Sequence, residues 1–111
     1  MMIPYGLRLA AEVGDCLGIA RRLIETEGWW TDNYVGQRGD KHDVVTAIRA
    51  AHSSEAVQRL TADLLREQVG WEGLGRWNDH YEGAGPVKRA LNDAEKNLDR
   101  LMGVSELPET G

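Results

Sequence analysis

Gly85-Pro86-Val87-Lys88-Arg89-Ala90-Leu91-Asn92-Asp93-Ala94-Glu95-Lys96-Asn97-Leu98-Asp99-Arg100-Leu101-Met102-Gly103 is the stretch on which the fold turns. Val87, Leu91, Ala94, Leu98 and Leu101 recur at spacings of four, three, four and three. That pattern places five apolar side chains on one stripe of an α-helix. Gly85 is the expected N-cap. Pro86 suits the first helical position, where a missing N–H leaves no bond unmade. Lys88, Asn92, Glu95, Lys96 and Asp99 fall toward solvent, and Gly103 is the expected left-handed stop. The stripe fits two heptads, too short for a coiled coil.

Outward from this helix, the same reasoning finds others. Val57, Leu60, Leu64 and Leu65 predict a helix over about Glu55 to Gln68, capped by Ser53 or Ser54 and ended by Gly70. Leu17, Ala20, Leu23 and Ile24 predict a helix from about Cys16 to Glu27, capped by Asp15 and stopped by Gly28. Val44, Val45, Ile48 and Ala51 predict a shorter helix over about Asp43 to Ala51, started by Asp40 or His42. Leu74 to Trp77 fits one short helical turn. Residues 1–13 alternate apolar with other side chains, as a strand does. Leu7, Ala10, Ala11 and Gly14 also share a helical stripe that Pro4 would open, and helix is the preferred assignment.

The expected fold is therefore mainly α, a compact bundle of four to five short helices with aromatic, Gly-rich loops. Residues 1–103 form the expected single domain and 104–111 a flexible tail. Within that tail, Leu107-Pro108-Glu109-Thr110-Gly111 matches the motif recognised by sortases. No apolar segment or basic run follows it, so an added tag is the better explanation. Arg38-Gly39-Asp40 matches a cell-adhesion tripeptide, which carries little weight in a chain expected to be cytoplasmic.

Composition narrows function by exclusion. The chain has 13 Lys+Arg against 18 Asp+Glu, a formal charge of -5, which argues against a phosphate-reading nucleic-acid binder. A DNA mimic fits poorly, because the charge is weak and dispersed. No apolar run approaches the roughly 20 residues that span a bilayer, so no membrane role is expected. Met1 to Arg8 lack the pattern of a secretory signal. Cys16 is the single cysteine, which excludes an internal disulfide, a Cys-based zinc knuckle and CxxC chemistry. A reducing, cytoplasmic location is the expectation.

Phe is absent, so four Trp and three Tyr supply the aromatic bulk. They concentrate in two loops, Gly28 to Gly36 and Gly70 to Gly83. Short helices cannot easily bury Trp29, Trp30, Tyr34, Trp71 and Tyr81 together. Trp and Tyr are enriched at the centres of protein interfaces, so part of this set is expected to form a contact surface or line a pocket. The alternative is that Trp29, Trp71 and Trp77 replace the missing Phe in the core, and at least two of the four Trp should be core. Trp30, beside polar Thr31 and Asp32, is the one expected to be partly exposed.

Trp77-Asn78-Asp79 admits two readings. One makes it a ligand site, with His80 and Tyr81 beside it. The other, favoured, makes Trp77 a core plug and has Asn78 or Asp79 bond local backbone N–H groups before the last helix. His42-Asp43 and Asp79-His80 contain metal-ligand residue types, yet no histidine pair has the i, i+4 spacing of a helical metal site. Surface or capping histidines are the preferred reading, and no metal or cofactor is expected. Cys16, in the first turn of its expected helix, would gain from the helix dipole; a small buried hydrophobe is the preferred role. Gly70 to Gly75 is glycine-rich, but neither a preceding strand nor a Lys-Ser/Thr follows the pattern of a phosphate loop.

The order of elements resembles a family of small actinobacterial and actinophage proteins known as a domain of unknown function. The matching positions are Gly28-Trp29, Tyr34, Ala47-Ile48, Ala56-Val57, Leu60, Trp77-Asn78-Asp79, Val87 and Ala90-Leu91, over about residues 15–102. The family often shows Cys-Leu-x-Gly-Ala in its short helix, where this chain has Val44-Val45-Thr46-Ala47-Ile48. The resemblance implies a compact helical fold and an actinobacterial or phage origin, and it transfers no catalytic residue. The functional expectation is a non-enzymatic protein that binds a protein partner, or itself, through the aromatic loops or the 87–101 helix stripe, as a phage or actinobacterial modulator would. The alternative is a small-molecule binder or simple hydrolase with its site around Trp77-Asn78-Asp79-His80.

Overall fold

The computed structural model describes residues 6–31 and 39–106. They form α1 (Leu7–Glu27), α2 (Val44–Ala51), α3 (Glu55–Val69), α4 (Leu74–Asp79) and α5 (Gly85–Glu106), with no strand among them. The mainly helical expectation holds, but two of the five helices are long, at 21 and 22 residues.

The largest departure is α1. Residues 7–13 are helical and run without a break into the helix expected to begin at Cys16. Asp15 is therefore an exposed mid-helix residue and no cap. Strand-like alternation loses here because a helix brings Ala10, Val13, Gly14, Leu17, Ala20 and Ile24 to one buried side. Two mid-helix glycines would ordinarily weaken the helix by about 1 kcal/mol each. In α1 they allow α5 to come close: a Cβ on Gly14 would lie 3.7 Å from Leu98 Cδ2, and one on Gly18 3.0 Å from the Glu95 carboxylate. Pro4, the expected opener, lies outside the described residues.

α1 packs against α5, α2 and α3, and α4 sits on α2. On α5, Val87, Leu91, Ala94 and Leu98 are all buried, as their spacing predicts, while Leu101 is half-buried. Burying each Leu or Val contributes about 1.5–3 kcal/mol before chain entropy is counted. Pro86 and Gly85 both lie within the helix, and the Ala84 carbonyl accepts from Lys88 N at 2.9 Å. Gly103 does not stop α5, which continues to Glu106. The expected tail from 104 thus begins in helix, and 107–111 lie outside the described residues.

On α3 the caps are as expected. Ser54 Oγ accepts from Val57 N at 3.4 Å, and Gly70 closes the helix in the left-handed region at φ 76°. Its buried residues are Val57, Thr61 and Leu65, with Leu60 and Leu64 half-buried. Thr61 enters the core because its hydroxyl donates to Val57 O at 2.7 Å and so leaves no polar group unpaired. α2 is capped by Asp43, whose carboxylate accepts from Thr46 N at 2.7 Å, and not by Asp40 or His42.

Cys16 lies well inside α1, far from the N-terminal turn in which dipole activation was expected. It is buried, and its Sγ donates to Ile48 O at 3.6 Å. Burial pushes the thiol above its ordinary value, opposed in lesser degree by the Thr61 side chain. The folded state therefore favours the neutral thiol. That stability is present below the unfolded thiol's pKa and erodes as pH rises through it toward the folded value. A thiol reagent is expected to label native Cys16 only at the rate of local or global opening, and rapidly in denaturant. Fast labelling of the folded protein would contradict this burial.

Gly28 ends α1 at φ 102° and ψ 156°, a conformation essentially reserved for glycine. A Cβ there would lie 2.9 Å from Lys41 Cγ. Gly28→Ala is expected to lower stability by about 2–3 kcal/mol. Gly70→Asn, in open space and in a region Asn tolerates, should cost under about 1 kcal/mol. Urea titration of the two variants gives the comparison.

Candidate functional site

α4 is only six residues long, yet it carries the centre of the candidate site. Leu74, Trp77 and Asn78 are its buried residues. Trp77 fills the core at 2 % exposure, as its plug reading requires.

Asn78 is fully buried, and both ends of its amide are engaged. Its Oδ1 accepts from Trp29 Nε1 at 2.7 Å and from Val44 N at 3.1 Å. Its Nδ2 donates to Trp30 O at 2.9 Å. These partners are distant in sequence, whereas local backbone bonds were expected. Val44 N is one of the N-terminal donors of α2 that no helical carbonyl can reach, so Asn78 completes the cap that Asp43 begins. Asp79 adds a second tie, accepting from Thr31 Oγ1 at 2.6 Å. Thr31, expected to mark an exposed segment, is buried.

Residues 28–31, which open the first aromatic loop, are thus drawn inward. Trp30 N donates to His42 O at 2.8 Å and His42 N donates to Gly28 O at 2.9 Å, an isolated parallel bridge around Trp29 and His42. Trp29 is half-buried against the core, and Trp30 is partly exposed, as expected. Tyr34 lies outside the described residues. His42 and His80 go to different neighbours: His42 Nε2 lies 3.4 Å from Glu27 Oε1, while His80 sits among rings. Among the described residues no three His, Cys, Asp or Glu side chains gather as metal ligands.

The second loop is arranged differently. Trp71, for which the sequence leaves a contact role and a core role open, is 38 % exposed. Its ring centroid lies 5.4 Å from that of His80, which lies 5.0 Å from Tyr81, which in turn meets Trp77 edge-on at 5.7 Å. Four rings therefore run in a row from the surface to the core, at separations favourable for aromatic pairs.

Beside this row opens a cleft of about 910 Å³ between the end of α3, α4 and α5. Trp71, Trp77 and Tyr81 form its aromatic side, and Pro86, Arg89, Asp93, Lys96 and Arg100 of α5 form the facing wall. Asn78, Asp79 and His80 do not line it. Of the nine residues singled out from the sequence, the cleft thus gathers Trp71, Trp77 and Tyr81. Trp29, Trp30, Asn78 and Asp79 belong instead to the internal tie. The α5 wall was not singled out from the sequence, although Arg89, Asp93, Lys96 and Arg100 recur at spacings of four, three and four. That recurrence was a legible sign of one polar face.

Residues 9–97 match the Family of unknown function (DUF6197). The chain belongs to this family. The match runs from Leu9 in α1 to Asn97 in α5, and so takes in the Asn78 tie and most of the cleft. No curated protein and no solved structure matches the chain.

The tie makes a sharp prediction. Asn78→Leu leaves Trp29 Nε1, Val44 N and Trp30 O without their partner, and should lower stability by about 3 kcal/mol or more. Asn78→Asp keeps the acceptor but sets a carboxylate oxygen against Trp30 O. A protonated carboxyl can donate there, so burial and this contact raise its folded pKa above the usual value near about 3.9. The stability of Asn78→Asp should therefore recover toward wild type as pH falls to about 4, and be lost again as pH rises. Thermal melts from about pH 4 to pH 8 follow both variants; an Asn78→Leu protein as stable as wild type would remove the tie from its place in the fold.

Proposed function

We propose that this member of the family is a non-enzymatic interaction protein that takes a protein partner on the face formed by Trp71, Tyr81 and the outer wall of α5. The carrying observation is the unequal fate of the two aromatic loops. Trp29 and the backbone of Trp30 are held by Asn78, whereas Trp71 stands 38 % exposed over an open cleft. A large apolar ring left at the rim of a cleft is the usual anchor of a protein contact. The reading extends to a cytoplasmic modulator of a host protein, consistent with small size, modest acidity and the resemblance to actinobacterial and actinophage proteins.

The hydrolase or small-molecule reading requires Asn78, Asp79 and His80 to present free polar groups to a pocket. Asn78 has both amide ends engaged inside the protein, Asp79 holds Thr31, and none of the three lines the cleft. Binding on the Trp71 face is the reading these bonds leave best supported.

Trp71→Ala removes exposed ring surface and should leave the fold intact. Capture from a lysate on immobilised protein, read by quantitative mass spectrometry, should lose its principal partner by about thirtyfold, the equivalent of about 2 kcal/mol at an interface anchor. Trp30→Ala, on the other loop, should retain it. A partner retained by Trp71→Ala and lost by Trp30→Ala would move the contact surface to the first loop.

A further inference from the structure

We infer that the Trp71 cleft accepts an acidic peptide segment carrying an apolar or aromatic side chain, an inference that rests on the binding role proposed above. The chain bears a net charge of -5, yet the cleft concentrates Arg89, Lys96 and Arg100 against one acid, Asp93. Their spacing of seven and four residues places the three cations on one face of α5, over about 16 Å of helix. Among the described residues none of the three pairs with a carboxylate. Arg89 folds back over Gly85, and Arg100 donates to the neutral Asn97 side chain. The protein has acids in excess and still leaves these charges unmatched, so the complementary carboxylates come from the ligand. Arginine offers them a planar, two-pronged donor set.

The apolar half of the occupant follows from what adjoins the cations. The cleft continues, through shared Gln68, Asn97 and Arg100, into a groove of about 550 Å³ between α3 and α5 that includes Leu64, Leu98 and Leu101 and one acid, Glu67, which forms no ion pair among the described residues. Trp71 lies at the other end. A segment along α5 would thus meet an exposed ring, a row of cations and an aliphatic groove in turn.

A short acidic segment fits better than a nucleic acid. Screening confines each charge to about 8–10 Å at ordinary ionic strength, so a peptide in the cleft feels the local cations. A long polyanion would also lie against the acidic remainder of the surface.

The test is selection from a displayed library of random peptides of about 12 residues, long enough to span the cationic face as helix or strand. Selection on the wild-type protein should enrich Asp and Glu together with Trp, Phe or Leu. Enriched peptides should bind Arg89→Gln/Lys96→Gln at least about tenfold more weakly, and more weakly as salt is raised. They should bind Arg49→Gln/Arg59→Gln, which alters the separate cleft between α2 and α3, as they bind wild type. Enrichment of neutral or basic peptides that still need Trp71 would overturn the acidic inference and leave the interaction role standing. Peptides insensitive to Trp71→Ala, or no enrichment, would overturn both. Loss of binding in the Arg49/Arg59 variant alone would place the acid-binding surface elsewhere, and a single-stranded oligonucleotide that outcompetes the peptides would replace the peptide with nucleic acid.

Discussion

One buried amide ties the chain leaving α1 to the start of α2 and to α4. Asn78 reaches the indole of Trp29, the backbone of Trp30 and the first N–H of α2 with three hydrogen bonds. Each of those groups would be costly to leave unpaired in a dry interior. An apolar side chain of the same size would fill the space and satisfy none of them. The amide therefore fixes how the chain leaves α1, where α2 begins and where α4 sits, and the bond from Thr31 to Asp79 repeats the constraint beside it.

That constraint divides the aromatic residues. Trp29, through its indole, and Trp30, through its backbone bonds with His42 and Asn78, are held against the core. Those after α3 face no such demand. Gly70 turns the chain sharply, and Trp71 emerges over α5 with His80 and Tyr81 linking it to the buried Trp77. The row lets an exposed ring rest on a rigid base, and rigidity lowers the entropic cost of binding. The row thus joins an exposed ring to the core through α4 and the residues that follow it.

Long helices supply the platform. α1 and α5 lie together along a seam in which Gly14 and Gly18 admit Leu98 and Glu95. Close approach buries the apolar stripe of α5 and turns its opposite, charged side outward. The cations of Arg89, Lys96 and Arg100 owe their exposure to that same register.

Much of the architecture was legible in residue order. The 4-3-4-3 stripe of α5, the Ser54 cap and the Gly70 stop all act through neighbours within one or two turns, so their spacing is visible in the string itself. Asn78 was legible as a special residue but not as a tie, because its partners lie 34, 48 and 49 positions away and hydrogen bonds across such distances leave no periodic trace. Tertiary packing alone decided that α1 runs unbroken through Gly14 and that Trp71 rather than Trp29 reaches the surface. In each case a local preference of about 1 kcal/mol is outweighed by burial of a whole helix face or by a buried polar group's need for a partner. Sequence determined which segments are helical and which side of each is apolar; only the assembled core decided which rings it would keep.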